Sequence, residues 1–266
     1  MRALASTLII STYNWPAALD LTLASVARQR LMPIEILVAD DGSDAATAVL
    51  VREWTARLPV PVWHLWQEDL GFRLARARNR AIAAARGDYI VLVDGDMTLH
   101  PAFIADHIRA ARQGSFVQGW RAYTGSATSR RMLERRLPGC SFFARDLRRR
   151  YRVLRIPALA WLIHRREHTG HRRIQGCNQG YWRSDLLRVN GFDERMTHWG
   201  REDDELAARL FNAGVRRRDL KFAAIAVHLY HPARDRQAST PNDGYLAETR
   251  REHRIRCELG IDRHLR

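Results

Sequence analysis

Three groups of acidic and metal-ligating residues stand far apart in this chain. Asp94-Gly95-Asp96 directly follows the apolar run Tyr89-Ile90-Val91-Leu92-Val93. Two carboxylates at the end of a buried strand are costly to desolvate unless something positive meets them. A divalent cation with oxygen ligands is the natural partner, and Gly95 lets the backbone come close to a bound group. As a solvated turn, the same two acids would do no chemistry. The second group is Trp199-Gly200-Arg201-Glu202-Asp203-Asp204-Glu205. Acids in the first turn of a helix are favoured by its dipole, which accounts for one or two of the four. It does not account for a Trp-Gly hinge directly before them in so basic a chain. The third group is His228 and His231, three apart at the end of a late strand, where a metal role for one of them is expected. Arg78 and Asn79 lie on a helical pattern just before the Asp94 strand. That arginine could hold a phosphate or pair with a strand-end aspartate, or equally be one more solvated charge.

The elements that must position these residues alternate regularly. Thr7 to Ser11 reads as a buried strand, Asn14 as the cap of the next helix, and Pro16 as part of its first turn. A strand over Ile34 to Ala39 ends in Asp40-Asp41-Gly42-Ser43, followed by a helix over Ala45 to Ala56. A strand (Val60 to Trp66), a helix (Leu74 to Ala85) and the strand Tyr89 to Val93 come next. This alternation predicts an α/β fold, a mostly parallel, doubly wound sheet with helices on both faces. Ligands gather at the carboxyl ends of such strands, where Ser11-Thr12-Tyr13-Asn14, Asp40-Asp41 and Asp94-Gly95-Asp96 all fall. Further on, a helix is predicted over Asp203 to Ala213, stopped by Gly214, then a strand over Phe222 to His228 and a tail helix near Leu246 to Leu259.

Apolar residues make up 46% of the 266, which excludes a disordered chain. The longest apolar run, Ile156 to Ile163, is far short of the roughly 20 residues that a bilayer span needs. No secretory signal pattern opens the sequence, and Cys140, Cys177 and Cys257 have neither disulfide-framework nor zinc spacing. A cytoplasmic setting is expected. The net charge of +15 attracts polyanions. Fourteen arginines fall within residues 128–173, around the run Ile156 to Ile163.

The set Ser-Thr-Tyr-Asn, Asp-Asp-Gly-Ser, Gly-Phe-Arg-Leu-Ala-Arg-Ala-Arg-Asn, Asp-Gly-Asp-Met and Asn-Gly-Phe-Asp-Glu…Trp-Gly-Arg-Glu-Asp-Asp-Glu resembles the family 2 glycosyltransferases of GT-A fold. It looks similar to the transferase domains of bacterial chondroitin and hyaluronan synthases. The Trp-Gly-x-Glu-Asp segment also resembles that of β-1,4-galactosyltransferases. The similarity covers residues 7 to about 121 and 176 to 232. It implies that Ser11, Tyr13 and either Asp40 or Asp41, with Asp41 favoured, hold the uracil of a UDP-sugar. Arg78 would lie near the nucleotide, and Asp94 with Gly95 on the ribose and metal side. Asp96 would coordinate Mn²⁺ or Mg²⁺, with His228 or His231 as a further ligand. Asp203 would be the catalytic base, Glu202 would bind an acceptor hydroxyl, and Trp199, beside Gly200, would stack on a sugar. The resemblance implies an inverting hexosyltransferase acting on a glycan or lipid-linked glycan, in cell-surface polysaccharide or lipopolysaccharide synthesis.

Some features depart from those synthases. They carry a second transferase domain for which 266 residues leave no room, and the Gln-x-x-Arg-Trp motif of processive enzymes is absent. One sugar per encounter is therefore expected. The chain divides into a nucleotide-sugar half (1–121), a basic helical insertion (122–175), an acceptor and catalytic half (176–232) and a polar tail (233–266). For the insertion, three roles compete: a solvated subdomain, a peripheral contact with the anionic inner face of the cytoplasmic membrane, or binding of an acidic glycan. The rival from another class is a basic nucleic-acid-binding protein. That reading leaves the strand-end aspartates unexplained, since carboxylates repel phosphates unless a metal intervenes.

Overall fold

The structure is a computed structural model, and it describes residues 4–170, 174–232 and 240–265. The first half alternates as the pattern requires: β1 (Ser6–Thr12), α1 (Pro16–Val26), β2 (Glu35–Asp40), α2 (Ala45–Arg57), β3 (Val62–Trp66), α3 (Leu74–Ala84) and β4 (Tyr89–Asp94). Then come β5 (Met97–Leu99), α4 (Phe103–Ala110), β6 (Ser115–Gly119), β7 (Arg121–Tyr123), α5 (Ser126–Glu134), α6 (Pro157–Ile163) and β8 (Glu167–His168). The last part holds β9 (Asn178–Trp182), α7 (Arg183–Arg188), α8 (Glu202–Asn212), β10 (Arg216–Leu220), β11 (Ala226–His228) and α9 (Pro241–Arg251).

Eight strands form one sheet in the order β3-β2-β1-β4-β9-β6-β10-β8. β3, β2, β1 and β4 are mutually parallel; β9 runs antiparallel to both β4 and β6, and β8 antiparallel to β10. A small second sheet, β5-β11-β7, sits beside it. The period of two along buried strands separates the two cores. Leu8, Ile10, Val91 and Val93 face Leu19, Leu23 and Phe103 on one side of the sheet. Ile9, Ile90 and Leu92 face Ala77, Ala81, Ile82, Leu206 and Leu210 on the other. Fully burying each such large aliphatic side chain contributes about 1.5–3 kcal/mol. The alanines of α3 matter most for function, because small side chains let this helix lie close against β1 and β2.

Four expectations change. Asn14 does not cap α1: Trp15 occupies that position, and Asn14 instead has φ +44° and bridges to the next turn, its Oδ1 accepting from the Asp44 N–H at 2.9 Å. The strand expected over Phe222 to His228 is only its last three residues, because Phe222 (φ +59°) and Ala224 (φ +44°) leave the β region. A strand instead forms over Arg216–Leu220, where the arginines hide it from a hydrophobic pattern. Two of them are buried all the same: the Arg218 Nε donates to the His164 carbonyl at 2.8 Å. The tail helix begins earlier than expected, at Pro241 behind a Thr240–Asp243 capping box, and ends at Arg251. Within the basic segment, α5 packs its Met132 with Ala18 and Leu21 of α1, and β8 extends the main sheet.

Candidate active site

Arg78 organises the cleft. Ala75, Ala77, Ala81 and Ile82 fix α3 against the sheet, so Arg78 points along the helix toward the strand ends and is 2% exposed. Its Nε donates to Ser11 Oγ at 3.1 Å, Nη2 to Asp94 Oδ1 at 3.1 Å and Nη1 to Asp203 Oδ1 at 2.9 Å. Phe192 lies against the guanidinium, 5.1 Å from ring centre to Cζ. A planar fork with five donors can serve three acceptors at fixed angles, as an ammonium cannot. Burial works against the charge on Arg78, but Asp203 and Asp94 outweigh it and hold its pKa above the ordinary value. Residues 11, 78, 94 and 203, separated by up to 192 positions, thus meet at one guanidinium.

Asp203 and Glu202 open α8 after a tight hinge, Gly200 at φ +94° and Arg201 at φ +76°. Arg201 pairs with Asp204 at 3.6 Å and Asp243 at 2.7 Å. Glu205 forms a fully buried pair with Arg209 at 2.6 Å and accepts from Thr249 Oγ1 at 2.9 Å. The dense acidic cluster therefore divides: Asp204 and Glu205 hold the helix, and Glu202 and Asp203 face the cleft. Asp203 Oδ2 has no hydrogen-bond partner among the described residues, and a Cβ on Gly176 would overlap it. Burial raises the Asp203 pKa, with Asp94 adding and Arg78 opposing. Burial and the Asp203 charge push Glu202 up to about 8, and its buried Oε2 has no hydrogen-bond partner among the described residues.

Across the Asp94-Gly95-Asp96 turn, the Gly95 N–H donates to the Ser11 carbonyl at 2.7 Å, an approach so close that a side chain at 95 would strike that oxygen. Asp96 Oδ2 lies 3.2 Å from His228 Nε2 and 3.4 Å from His231 Nε2. One ligand atom from each of the three falls within 4.8 Å of the others. The residues fit a divalent ion: Asp96 Oδ1 is buried without a hydrogen-bond partner among the described residues, and both imidazoles turn a nitrogen toward the same carboxylate. Burial tends to raise the Asp96 pKa, but the two histidines and Arg121 outweigh it, so it is lowered and the acid stays ionised. Burial lowers His228, favouring the neutral imidazole that binds metals. His228 is also the more enclosed of the two, with Tyr123 ring to ring at 5.5 Å.

Asp40 and Asp41 differ in their surroundings. Both oxygens of Asp40 serve its own neighbourhood, accepting from the Ser43 N–H at 2.8 Å and lying 2.7 Å from His64 Nε2. Burial raises Asp40, but His64 and Ser43 overcome it and lower its pKa. Asp41 accepts from Gln67 Nε2 at 2.6 Å and the Arg73 N–H at 2.8 Å, and burial raises its pKa. Half-exposed Tyr13 stands at the neighbouring strand end, its hydroxyl donating to Asp69 Oδ2 at 2.9 Å. Trp199 is likewise half-exposed, at the rim before α8.

Several residues of the cleft escaped the sequence reading. Arg121 Nη1 lies 3.9 Å from Asp94 Oδ2, and Phe192 backs Arg78. Asn242, from the polar tail, is fully buried and donates to the carbonyls of His198 and Gly200, both at 2.7 Å, bracing the Trp199 loop. Asn79 locks the Asn-Gly-Phe-Asp-Glu turn, exchanging bonds of 2.8 Å with the Phe192 backbone. Of these, Asn79, adjacent to Arg78, and Phe192, within Asn-Gly-Phe-Asp-Glu, stand in motifs of the sequence.

A mostly parallel sheet of this order with a carboxylate cleft at its strand ends defines the GT-A class of α/β fold. The chain belongs to glycosyl transferase family 2: residues 7–169 match that family's model, and residues 159–232 match the model described as the N-terminal domain of galactosyltransferase. It is 27% identical to chondroitin synthase of Escherichia coli over 86% of this chain and 35% of that protein. It is 27% identical to hyaluronan synthase of Pasteurella multocida over 78% of this chain and 23% of that protein. The chain thus spans about a third or less of these two relatives. Among solved structures, S. aureus TarS 1-349 in complex with UDP-GlcNAc superposes with TM-score 0.64 at 16% identity, covering 98% of this chain and 69% of that one. A mannosyltransferase from Pyrobaculum calidifontis in complex with GDP-Man and Mn2+ gives 0.56 at 19% identity, over 92% and 68%. These two likenesses concern the fold. The nucleic-acid-binding alternative finds no support among them.

Proposed function

We propose that the chain is an inverting, metal-dependent hexosyltransferase that moves one sugar from a UDP-sugar to a hydroxyl of a glycan or lipid-linked glycan, in the synthesis of a cell-surface polysaccharide or lipopolysaccharide. One observation carries the reading: a single buried guanidinium holds Asp94 and Asp203 together while leaving Asp203 Oδ2 free. The relatives that make chondroitin and hyaluronan, and the neighbours bound to UDP-GlcNAc or to GDP-Man with Mn2+, support the choice of donor and ion.

Asp96 with His228 or His231 would hold Mn²⁺ or Mg²⁺, which when bound supplies positive charge against the diphosphate leaving group. The remaining work falls to side chains. Ser11, Tyr13 and Asp41 would grip the base, and Asp94 with Gly95 the ribose side. Arg78 aims the Asp203 carboxylate into the cleft. Asp203 Oδ2 takes the proton of the acceptor hydroxyl as that oxygen bonds to the anomeric carbon and the UDP oxygen departs from the opposite face. A single in-line displacement inverts the centre, so an α-linked donor gives a β-linked product. The raised pKa of Asp203 makes it a stronger base, and Glu202, protonated at neutral pH, can donate a hydrogen bond to a second acceptor hydroxyl. Trp199 would cover the acceptor sugar. We place the chain in the cytoplasm, at the inner membrane face, a reading supported by the exposed Leu159, Trp161 and Leu162 of α6 among arginines.

The test is a panel of UDP-sugars scored for UDP release with Mn²⁺ and with chelator, on wild type and Asp203→Asn. The variant should keep UDP binding and lose transfer. Turnover indifferent to metal removal would overturn the assignment of Asp96 and the histidines; loss of UDP binding in Asp203→Asn would make that residue structural.

A further inference from the structure

The arginine-rich segment returns to the cleft through a short 3-10 turn at Arg150–Val153, against β7. Its cations lie on aromatic faces. Arg152 stacks on Trp120 at 4.4 Å, and Lys221 sits over the same ring at 4.5 Å. Arg121 and Arg149 both lie over Tyr123, at 5.2 and 5.6 Å, and Arg150 over Phe142 at 5.8 Å. Tyr123 in turn contacts His228, and Arg121 approaches Asp94, so the row begins at the candidate metal site. Arg57 on Trp54, Arg78 on Phe192 and Arg195 on Tyr245 also meet aromatic rings, but each of these three is paired with an acid as well: Glu53, Asp203 and Asp193. Among the described residues, Arg149, Arg150, Arg152 and Lys221 have no carboxylate within ion-pair distance.

We propose that this row is the acceptor subsite and that it takes an anionic glycan, one whose sugars carry carboxylate or phosphate groups. The inference rests on the transferase reading and deepens it by naming the acceptor class. Uncompensated like charges at this density repel one another, which favours an occupant bringing negative charge. Arg152 Nη1 also donates to the Arg121 carbonyl at 3.1 Å and Arg150 Nη2 to the Ala144 carbonyl at 3.3 Å, which holds these guanidiniums in place while their remaining N–H groups can meet carboxylate or phosphate. Side chains already immobilised lose little entropy on binding, so the row is preorganised. A flat bilayer cannot follow the row to His228 and Asp94. A flexible sugar chain can, and its terminal hydroxyl then arrives beside Asp203.

The test reads binding with no UDP-sugar present, so its outcome is independent of whether donor cleavage is ever observed. The probes are a uronic-acid-containing oligosaccharide, its carboxyl-reduced neutral counterpart, a glycosylated polyol-phosphate oligomer and single-stranded DNA of matched charge, followed by Trp fluorescence and calorimetry. One or both acidic glycans should bind at least about tenfold more tightly than the neutral one. Which of the two binds more tightly identifies carboxylate or phosphate as the recognised group. Arg149→Gln/Lys221→Gln, with an unchanged unfolding midpoint, should lose about tenfold in affinity for that glycan. Equal affinity for the neutral counterpart, tighter binding of DNA than of either glycan, or full binding by the folded double variant would each overturn the proposal.

Discussion

Gly176→Ala tests the Asp203 assignment from outside the acidic cluster. Gly176 is buried, and a methyl group there would occupy the space of the Asp203 carboxylate. The backbone at 176 is not in the left-handed region, so alanine meets no conformational penalty of its own. What must yield is the far end of one side chain, which can rotate away by breaking its 2.9 Å bond to Arg78. That charge-assisted bond contributes about 1.5–3 kcal/mol net, comparable to the roughly 1–3 kcal/mol cost of overpacking a core. The fold should therefore survive with a lowered unfolding midpoint. The rate should fall much further, because a misplaced general base forfeits about 10²–10⁴-fold. The assay pairs UDP release in the presence of acceptor with calorimetric UDP affinity and thermal unfolding. Transfer at the wild-type rate, or loss of UDP affinity in parallel with rate, would refute the role given to Asp203 and its free oxygen.

Other outcomes follow from the same geometry. Arg78→Met leaves Asp203 without its countercharge and Asp94 with only Arg121, and should cost about 3–5 kcal/mol in urea unfolding; a change below about 1 kcal/mol would show that the pairing is not what holds the cleft. Glu202 is raised from 4.5 to about 8, so the folded state binds more protons than the unfolded one between those values, and stability falls as pH rises through that window. Glu202→Gln should flatten this slope, and identical pH dependence in both proteins would remove Glu202 from the buried acid pair. His228→Ala should weaken Mn²⁺ binding, read by electron paramagnetic resonance, more than His231→Ala, since His228 is fixed on β11 and the more enclosed; the reverse order would exchange their roles. Asn242→Ala removes both braces of the Trp199 loop and should cost about 1–3 kcal/mol with a raised acceptor KM, whereas unchanged acceptor kinetics would confine Asn242 to the fold.

The sequence by itself determined the parallel half of the sheet and the location of its chemistry. Buried strands such as β1 and β4 are continuous apolar runs whose polar ends must face a ligand or water, and that contrast is local and visible in one dimension. For the same reason Asp94, Asp96, the acidic cluster of residues 202–205 and the two histidines could be singled out by residue type and spacing. Local contrast fails where burial is decided by distant partners. The strand Arg216–Leu220 looks solvated because its arginines find carbonyls and acids far away in the chain, and the strand expected over Phe222 to His228 is shortened to Ala226–His228 by two left-handed residues. Residue type and spacing did not separate Glu202 and Asp203 from Asp204 and Glu205; the family resemblance chose them, and the tertiary structure supplies the reason. All four lie in one turn of one helix, and only the positions of Arg78, Arg201 and Arg209 decide which of them are anchors and which reach the cleft. The same holds for Gly176, Arg121 and Asn242, whose importance lies in the space or carbonyl they meet across the fold. Sequence spacing encodes what a side chain is; the direction of its charge depends on neighbours brought together only when the chain has packed.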